Sequence, residues 1–297
     1  MAMSVEAEGL EVAAEVFAAQ RRRLFGIAYR MVGTVADAED IVQETWIRWQ
    51  GADRASVKEP AAFLTTVATR LSINVLQSAR VKRETYIGPW LPEPVNTDDD
   101  PALGAEHAEA LQFAILLTLE KLTPTERAAY ILREAFDYPY PRIAEIISSS
   151  VVSARQLVSR ARSHLASDRQ AAVEPGHERR LLEAFLAAAQ KGDAQELERL
   201  FADDVVSYTD GNGVKLAARI PVIGRGRVAK FVAAFAHHFW IGKSIGWVEV
   251  NGQPAAALVQ DGEVTTLVTV TASAGGIAQL LWVMSPDKLG TVTAAVA

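Results

Sequence analysis

The sequence predicts a multidomain protein with two all-α modules in tandem and an α+β domain behind them. Three observations predict it. Apolar residues recur at helical spacing from residue 10 to about 78, and again from Ala102 to about Ser167. Between these stretches, Pro89, Pro92, Pro94, Pro101 and the run Asp98-Asp99-Asp100 exclude both a helix and a central strand. Beyond Glu174-Pro175-Gly176 the texture changes to helices, then to Val, Thr, Leu and Ala segments split by Asn251-Gly252, Asp261-Gly262 and Gly275-Gly276. That is the order of a helical layer followed by a curled antiparallel sheet. The expected limits are 1–85 and 111–172 for the helical modules, 86–110 for an acidic linker, and 177–297 for the last domain.

A chain of 297 residues accommodates two or three domains, and 49% hydrophobic with 22% charged residues suits packed cores. No run approaches the roughly 18 apolar residues of a membrane span, and no charged-then-apolar leader opens the sequence. The sequence has no cysteine, which excludes a disulfide framework and a thiolate zinc site. A cytoplasmic protein with no membrane partner is the expectation.

In the first module, residues 10 to 50 read as two helices. Thr34 and Asp37 suggest a capping box, after which Ala38, Ile41, Val42, Thr45, Trp46 and Trp49 fall on one face. The opposite face carries Asp40, Gln43 and Glu44 with Ile47 among them, either a stray surface isoleucine or a docking surface for another protein. A polar loop, Gly51 to Pro60, precedes a helix from about Ala61 to Ser78, whose expected buried stripe is Phe63, Leu64, Val67, Leu71 and Val75. This helix runs into Arg80, Lys82 and Arg83.

In the second module, Thr123-Pro124-Thr125-Glu126 is a strong helix start. Its helix ends near Phe136. A short helix from Pro139 to Ile147, the turn Ser148-Ser149-Ser150 and a longer helix from Val151 to about Ser167 make a helix-turn-helix pattern. Ala154, Leu157, Val158, Ala161 and Leu165 form its inner face; Val152, Arg155, Gln156 and Ser159 project elsewhere. The N-terminal end of such a helix enters the major groove, where Arg155 can pair with guanine and Gln156 with adenine, while Arg160 and Arg162 suit phosphates. Any small helical hairpin with exposed arginines gives a similar pattern.

The last domain reads as helices from about His177 to Lys191 and Asp193 to Phe201, then a strand at Val205 to Thr209. The turn Asp210-Gly211-Asn212-Gly213 follows, then a strand from Val214 to Ile220, a helix from Arg225 to Trp240, and the late strands 254–259, 264–271 and 277–284.

A net charge of −6 argues at first against a nucleic-acid partner, but its distribution matters more. Residues 70–83 hold four basic groups and no acid, and 84–109 hold seven acids and no base. Residues 142–169 then hold five arginines against two acids. Solvated helix faces give such bands as readily as two phosphate-gripping patches do.

The pieces TVADAEDIVQETWIRW (34–49), FLTTVATRLSINVL (63–76) and TPTERAAYILREAF (123–136) resemble extracytoplasmic-function (ECF) sigma factors. YIGPWLPEPV (86–95) resembles the linker of the subfamily that carries a SnoaL-like, NTF2-type C-terminal domain. The resemblance implies the fold class: two all-α sigma domains, a region-two bundle and a region-four helix-turn-helix, followed by an α+β cone. It further implies an alternative sigma factor that binds core RNA polymerase and promoter DNA, with no cofactor and no metal. Asp40, Gln43, Glu44 and Ile47 would meet the β′ clamp helices. Arg70, Asn74, Arg80, Lys82 and Arg83 would bind and help open the −10 element. Val152, Ser153, Arg155, Gln156, Ser159, Arg160 and Arg162 would serve the −35 element, although relatives often carry more polar residues at Val151 and Val152. The acidic linker would thread polymerase beside the β subunit. An anti-sigma factor is a further conceivable partner.

The resemblance also assigns interdomain contacts to Tyr86, Gly88, Pro89, Trp90, Leu91 and Pro92. It gives the C-terminal domain two motifs that would contact the sigma domains or the linker: a DGGGK-like turn (Asp210, Gly211 and, one residue late, Lys215) and an NPDKL-like segment (Pro286, Asp287, Lys288, Leu289) with Ser285 in place of Asn. Without it, the first is a hairpin turn and Lys288 a solvated lysine.

Two other classes stay open on the residues alone. One is a stand-alone helix-turn-helix regulator with a ligand-sensing domain. The other is an isomerase or hydrolase, for which Tyr208, Asp210, His237 and His238 are the candidate groups. Asp210 is expected in a turn, and adjacent His237 and His238 diverge by about 100° on a helix, so they cannot share an ion. No catalytic residue is assigned.

Overall fold

The computed structural model describes residues 2–83, 86–97, 112–166 and 176–296. The Asp98-Asp99-Asp100 run and the helical onset at Ala102 lie outside the described residues, as do the side chains of Arg80, Lys82 and Arg83. The described residues divide into two compact units, 2–83 with 118–166, and 86–97 with 112–117 and 176–296.

The first unit is helical. It holds α1 (Ala2–Val32), α2 (Val35–Gln50) and α3 (Pro60–Arg83), and later in the chain α5 (Pro124–Glu134), α6 (Tyr140–Ile146) and α7 (Val151–Ala166). A further helix, α4 (Phe113–Leu119), gives its first residues to the second unit. Ala38, Ile41, Val42, Thr45 and Trp49 of α2 are buried against Leu24, Ile27, Ala28 and Met31 of α1, so the 3.6-residue stripe does what its spacing requires. The Trp49 indole N–H donates to the Ala13 carbonyl at 3.0 Å.

At α3 the buried stripe differs from the expected one. Leu64, Thr65, Ala68, Thr69, Ser72 and Leu76 are buried, whereas Phe63, Val67, Leu71 and Val75 are only partly covered. Small side chains let α1 and α3 approach closely. The Ser72 hydroxyl turns back to the Ala68 carbonyl at 2.8 Å, which makes a polar residue tolerable inside.

Thr123 opens α5 with a complete capping box. Thr34 does not cap α2 in that way: its hydroxyl donates to the Asp37 carboxylate at 2.6 Å instead of accepting a backbone N–H.

The second unit packs α8 (His177–Lys191), α9 (Ala194–Leu200) and α10 (Arg225–Phe239) on a six-stranded sheet. Its strands are β1 (Phe201–Asp210), β2 (Val222–Ile223), β3 (Ser244–Val250), β4 (Gln253–Gln260), β5 (Glu263–Ser273) and β6 (Gly276–Val283), in the order β2-β1-β6-β5-β4-β3. The sheet is mixed, because β1 runs parallel to β6. Asn251-Gly252 and Asp261-Gly262 make the hairpin turns with positive φ at both positions. No strand forms over 214–220: Asn212, Gly213 and Leu216 have φ of 42°, 88° and 75°, and such left-handed residues cannot extend.

Both faces of this sheet are buried. Ala256, Leu258, Val268, Leu280 and Trp282 meet the helices, whereas Ala255, Ala257, Leu267, Leu281 and Val283 face a second core. That core is closed by Leu289 and by Val292 of α11 (Gly290–Val296), by Leu91 from the linker and by Phe113 at the start of α4. Double burial explains why the late strands read as continuous apolar runs rather than alternating ones.

Candidate functional site

On α2, Asp40, Gln43 and Ile47 point to solvent, Ile47 with 52% of its surface exposed. Glu44 is half-buried and accepts from Arg48 at 2.9 Å. The docking candidates thus share one outward face with an apolar side chain near its centre.

Asn74 is exposed on α3. Arg70, also exposed on α3, is hydrogen-bonded within the helical unit. Its guanidinium donates to the carbonyls of Ile146 (2.9 Å) and Glu145 (3.1 Å) and to the Ser148 hydroxyl (2.9 Å). All three belong to the end of α6 and its turn, where the negative end of the helix attracts a cation. Nearby, an open cleft is lined by Lys58, Glu59, Phe63 and Thr66 together with Arg142 of α6.

The helix-turn-helix presents Val152, Arg155, Gln156 and Ser159 to solvent, with Ser153 half-covered. The Ser150 hydroxyl accepts the Ser153 N–H at 3.0 Å and fixes the first turn of α7. Arg155 lies over the Tyr140 ring, 5.5 Å from its centroid, and Arg133 lies over the same ring at 5.2 Å. Arg160 and Arg162 are exposed but bonded to Glu126 (3.0 Å) and Glu134 (2.7 Å). Burial raises the Glu126 carboxyl, but the Thr123 hydroxyl and N–H and the Arg160 guanidinium more than offset this and hold it below the usual range.

The linker anchor is the most enclosed polar site. Asp210 ends β1 with its side chain fully buried, a correction to its expected place in a turn. Its carboxylate accepts from the Tyr86 hydroxyl (2.5 Å), the Leu91 N–H (2.7 Å) and the Lys288 ammonium (2.7 Å). Lys288 is equally no solvated lysine. It is buried, donates to the Leu91 carbonyl at 2.5 Å, and sits 4.3 Å from the Trp90 ring centroid. Burial, then the hydrogen bond to Asp210, pushes the Tyr86 hydroxyl well above the usual tyrosine range. The Asp210 carbonyl also accepts from Met284 and Ser285, tying the start of the Ser285–Leu289 segment to β1.

Gly211 is required here, because a Cβ would lie 2.3 Å from the Ala217 Cβ. Gly88 has φ of 95° and passes over Ala218 and Arg219. Pro92 and Leu289 are buried and Pro89 is half-buried, whereas Lys215, Pro286 and Asp287 are exposed. Asp210, Tyr86, Trp90, Leu91 and Lys288 therefore converge, and Lys215 does not join them.

A family model described as Sigma-70 region 2 matches residues 16–81, and one described as Sigma-70, region 4 matches residues 112–165. The ECF RNA polymerase sigma factor SigJ of Mycobacterium tuberculosis (strain ATCC 25618 / H37Rv) is 39% identical over 231 residues, 75% of this chain and 73% of SigJ.

The chain belongs to the ECF sigma factors.

A second relative, the probable ECF sigma factor SigI of the same species, is 30% identical over 93% of this chain and 94% of its own. The crystal structure of M. tuberculosis SigJ is 34% identical with a TM-score of 0.75, and covers 94% of this chain and 98% of that one. The likeness therefore runs through the C-terminal domain. As an ECF sigma factor the protein is a promoter-specificity factor for core RNA polymerase, with region two in α1–α3 and region four in α4–α7.

Several residues of this sigma factor were not singled out in the sequence. Arg127 is buried in α5 and donates to Met31 O (2.6 Å), Leu119 O (3.0 Å) and Glu120 (2.6 Å). Burial pushes its guanidinium down to about 9, and those acceptors keep it charged at neutral pH. Glu178 accepts from the Gln253 amide, whose oxygen accepts the Phe113 N–H at 3.3 Å. Neither stands out in the sequence: Arg127 follows Glu126 and Glu178 lies in the charged run His177 to Arg180, so each reads as an ordinary helix-surface charge.

His237 and His238 are exposed on α10, and Tyr208 lies on the sheet face opposite to Thr209. The cavity under α10, lined by Thr209, Phe231, Phe235, Trp240 and Trp282, has a volume of about 40 Å³. A cavity of roughly 150 Å³ holds benzene, so this one is too small for a ligand of that size. Among the described residues no helix is long and apolar enough to cross a membrane.

Proposed function

We propose that the C-terminal domain sets the activity of this sigma factor by holding the linker between regions two and four. The observation that carries the reading is the Asp210–Lys288 pair, which grips the backbone of Leu91 at both its N–H and its carbonyl. Leu91 also fills the second core of the domain, and Thr97 and Val95 continue the contact along β3 and the following turn. A linker threaded through polymerase needs a different path, so release from this site becomes a condition for, or a brake on, initiation.

The finer assignments follow the same reading. The outward face of α2 (Asp40, Gln43, Glu44, Ile47) docks on polymerase, with Ile47 supplying apolar area and the acids orientation. Asn74, the basic end of α3 and, once released, Arg70 engage the −10 element. The outward face of α7 reads the −35 element, while Arg160 and Arg162 stay paired or move to phosphates.

The test is run-off transcription with core polymerase, comparing the intact chain with Asp210→Ala/Lys288→Ala. Core binding should persist while transcript yield changes several-fold. Unchanged yield from a variant whose 86–97 segment has become protease-sensitive would remove the C-terminal domain from the mechanism.

A further inference from the structure

We propose that Val152 reads the 5-methyl group of a thymine in the −35 element, next to the guanine contacted by Arg155. The inference rests on the reading of α7 as the −35 helix and deepens it to a base identity. Ala154, Val158, Ala161 and Leu165 are buried and define the inner side of α7. At 100° per residue, Val152 points about 150° away from that side, at the middle of the face shared with Arg155, Gln156 and Ser159. Its exposure is 64%, and the Ser150 cap holds its turn in place.

Two local costs accompany a valine there. A β-branched residue is a weak helix former, and its exposed methyl groups gain nothing from burial within the protein. In the major groove the same methyl groups have one complementary feature, because thymine alone presents a methyl to that groove. Val152 and Arg155 are neighbours at i, i+3, with Cβ atoms about 5–6 Å apart. Base pairs rise about 3.4 Å per step, so the two side chains reach bases one or two steps apart. Tyr140 draws the Arg155 guanidinium to its own side and leaves the first turn of α7 to Val152.

The experiment uses the full chain assembled with core polymerase. The −35 element is first selected from a library randomised over that region, and each of its thymines is then replaced singly by deoxyuridine, which keeps the pairing and removes only the methyl. One replacement, within two steps of the guanine lost in Arg155→Ala, should weaken binding about four-fold, the effect of one buried methyl. Val152→Ala should cost a similar factor on the thymine promoter and make that replacement silent. Because Val152 is exposed, the variant should fold as the parent does.

A selected element with no thymine at that distance overturns the proposal. So does a deoxyuridine loss that persists in Val152→Ala, or silence at every thymine, while Arg155→Ala still erases a base preference. Should Arg155→Ala leave every preference unchanged, the −35 reading of α7 itself falls, and the proposal with it.

Discussion

The Lys288 ammonium meets the Asp210 carboxylate at 2.7 Å, with side-chain exposures of 7% and 0%. A buried ion pair is tolerable only when the remaining lone pairs and protons are satisfied. Here Tyr86 and the Leu91 N–H complete Asp210, and the Leu91 carbonyl with two aromatic faces completes Lys288. The pair and the linker are therefore one structural element.

Lys288→Met leaves a buried carboxylate without its cation, and should destabilise the C-terminal unit by about 3–5 kcal/mol. Asp210→Asn/Lys288→Met keeps an acceptor for Leu91 and removes both charges, so it should recover more than half of that loss. Thermal unfolding of the two variants checks this. Equal destabilisation would mean that charge pairing is not what the site depends on.

Gly211→Ala drives its Cβ to within 2.3 Å of the Ala217 Cβ. The clash should cost about 1–3 kcal/mol and loosen the turn that follows Asp210. Ala217→Gly removes the obstructing atom, so the double variant should regain most of the stability. Denaturant midpoints measure it, and no rescue would place the strain elsewhere in the loop.

Burial raises the Glu178 carboxyl above its ordinary value, despite help from Gln253 and the Ala272 N–H. The sign follows directly. A raised folded-state value means that the folded chain binds the proton more tightly, so this contribution is greatest below the ordinary carboxyl range and is lost as pH rises through the raised value. Glu178→Gln keeps an acceptor oxygen and abolishes the ionisation. It should raise the stability of the C-terminal unit at pH 7, with the advantage shrinking as pH falls toward the ordinary value. A pH-independent difference would count against it.

How much of this was legible in the sequence depends on what set each feature. The helix-turn-helix follows from local signals, because Thr123, Pro124 and Glu126 and the serine turn fix boundaries whatever surrounds them. Asn251-Gly252 and Asp261-Gly262 likewise fix hairpins through φ alone. Asp210 reads as turn chemistry because aspartate before glycine is the usual turn signal, and nothing local announces that Lys288, 78 residues away, will bury it. The α3 stripe departs from its apolar spacing for a related reason: burial there goes to Leu64, Leu76 and the small residues between them, which permit close helix approach. Resemblance to ECF sigma factors pointed to Tyr86, Asp210 and Lys288 together, where composition and spacing favoured a hairpin and a solvated lysine.

Arg70 should act as a clasp within the helical unit. Its three acceptors on Glu145, Ile146 and Ser148 lie about 3 Å away, whereas promoter elements some 25 base pairs apart are separated by roughly 85 Å of duplex. One guanidinium cannot serve both the turn of the helix-turn-helix and the −10 element at once. In free protein, Arg70→Ala should therefore free the Glu145–Ser150 turn. Three partly exposed hydrogen bonds contribute about 1 kcal/mol net, so opening should rise roughly five-fold. Lysine at this position offers a point charge without the planar fork, and should restore only part of the protection. Amide hydrogen exchange over 145–150 reads the change directly. Unaltered exchange in Arg70→Ala would assign the hold on region four to Arg127, whose bond to the Met31 carbonyl is far better shielded from water.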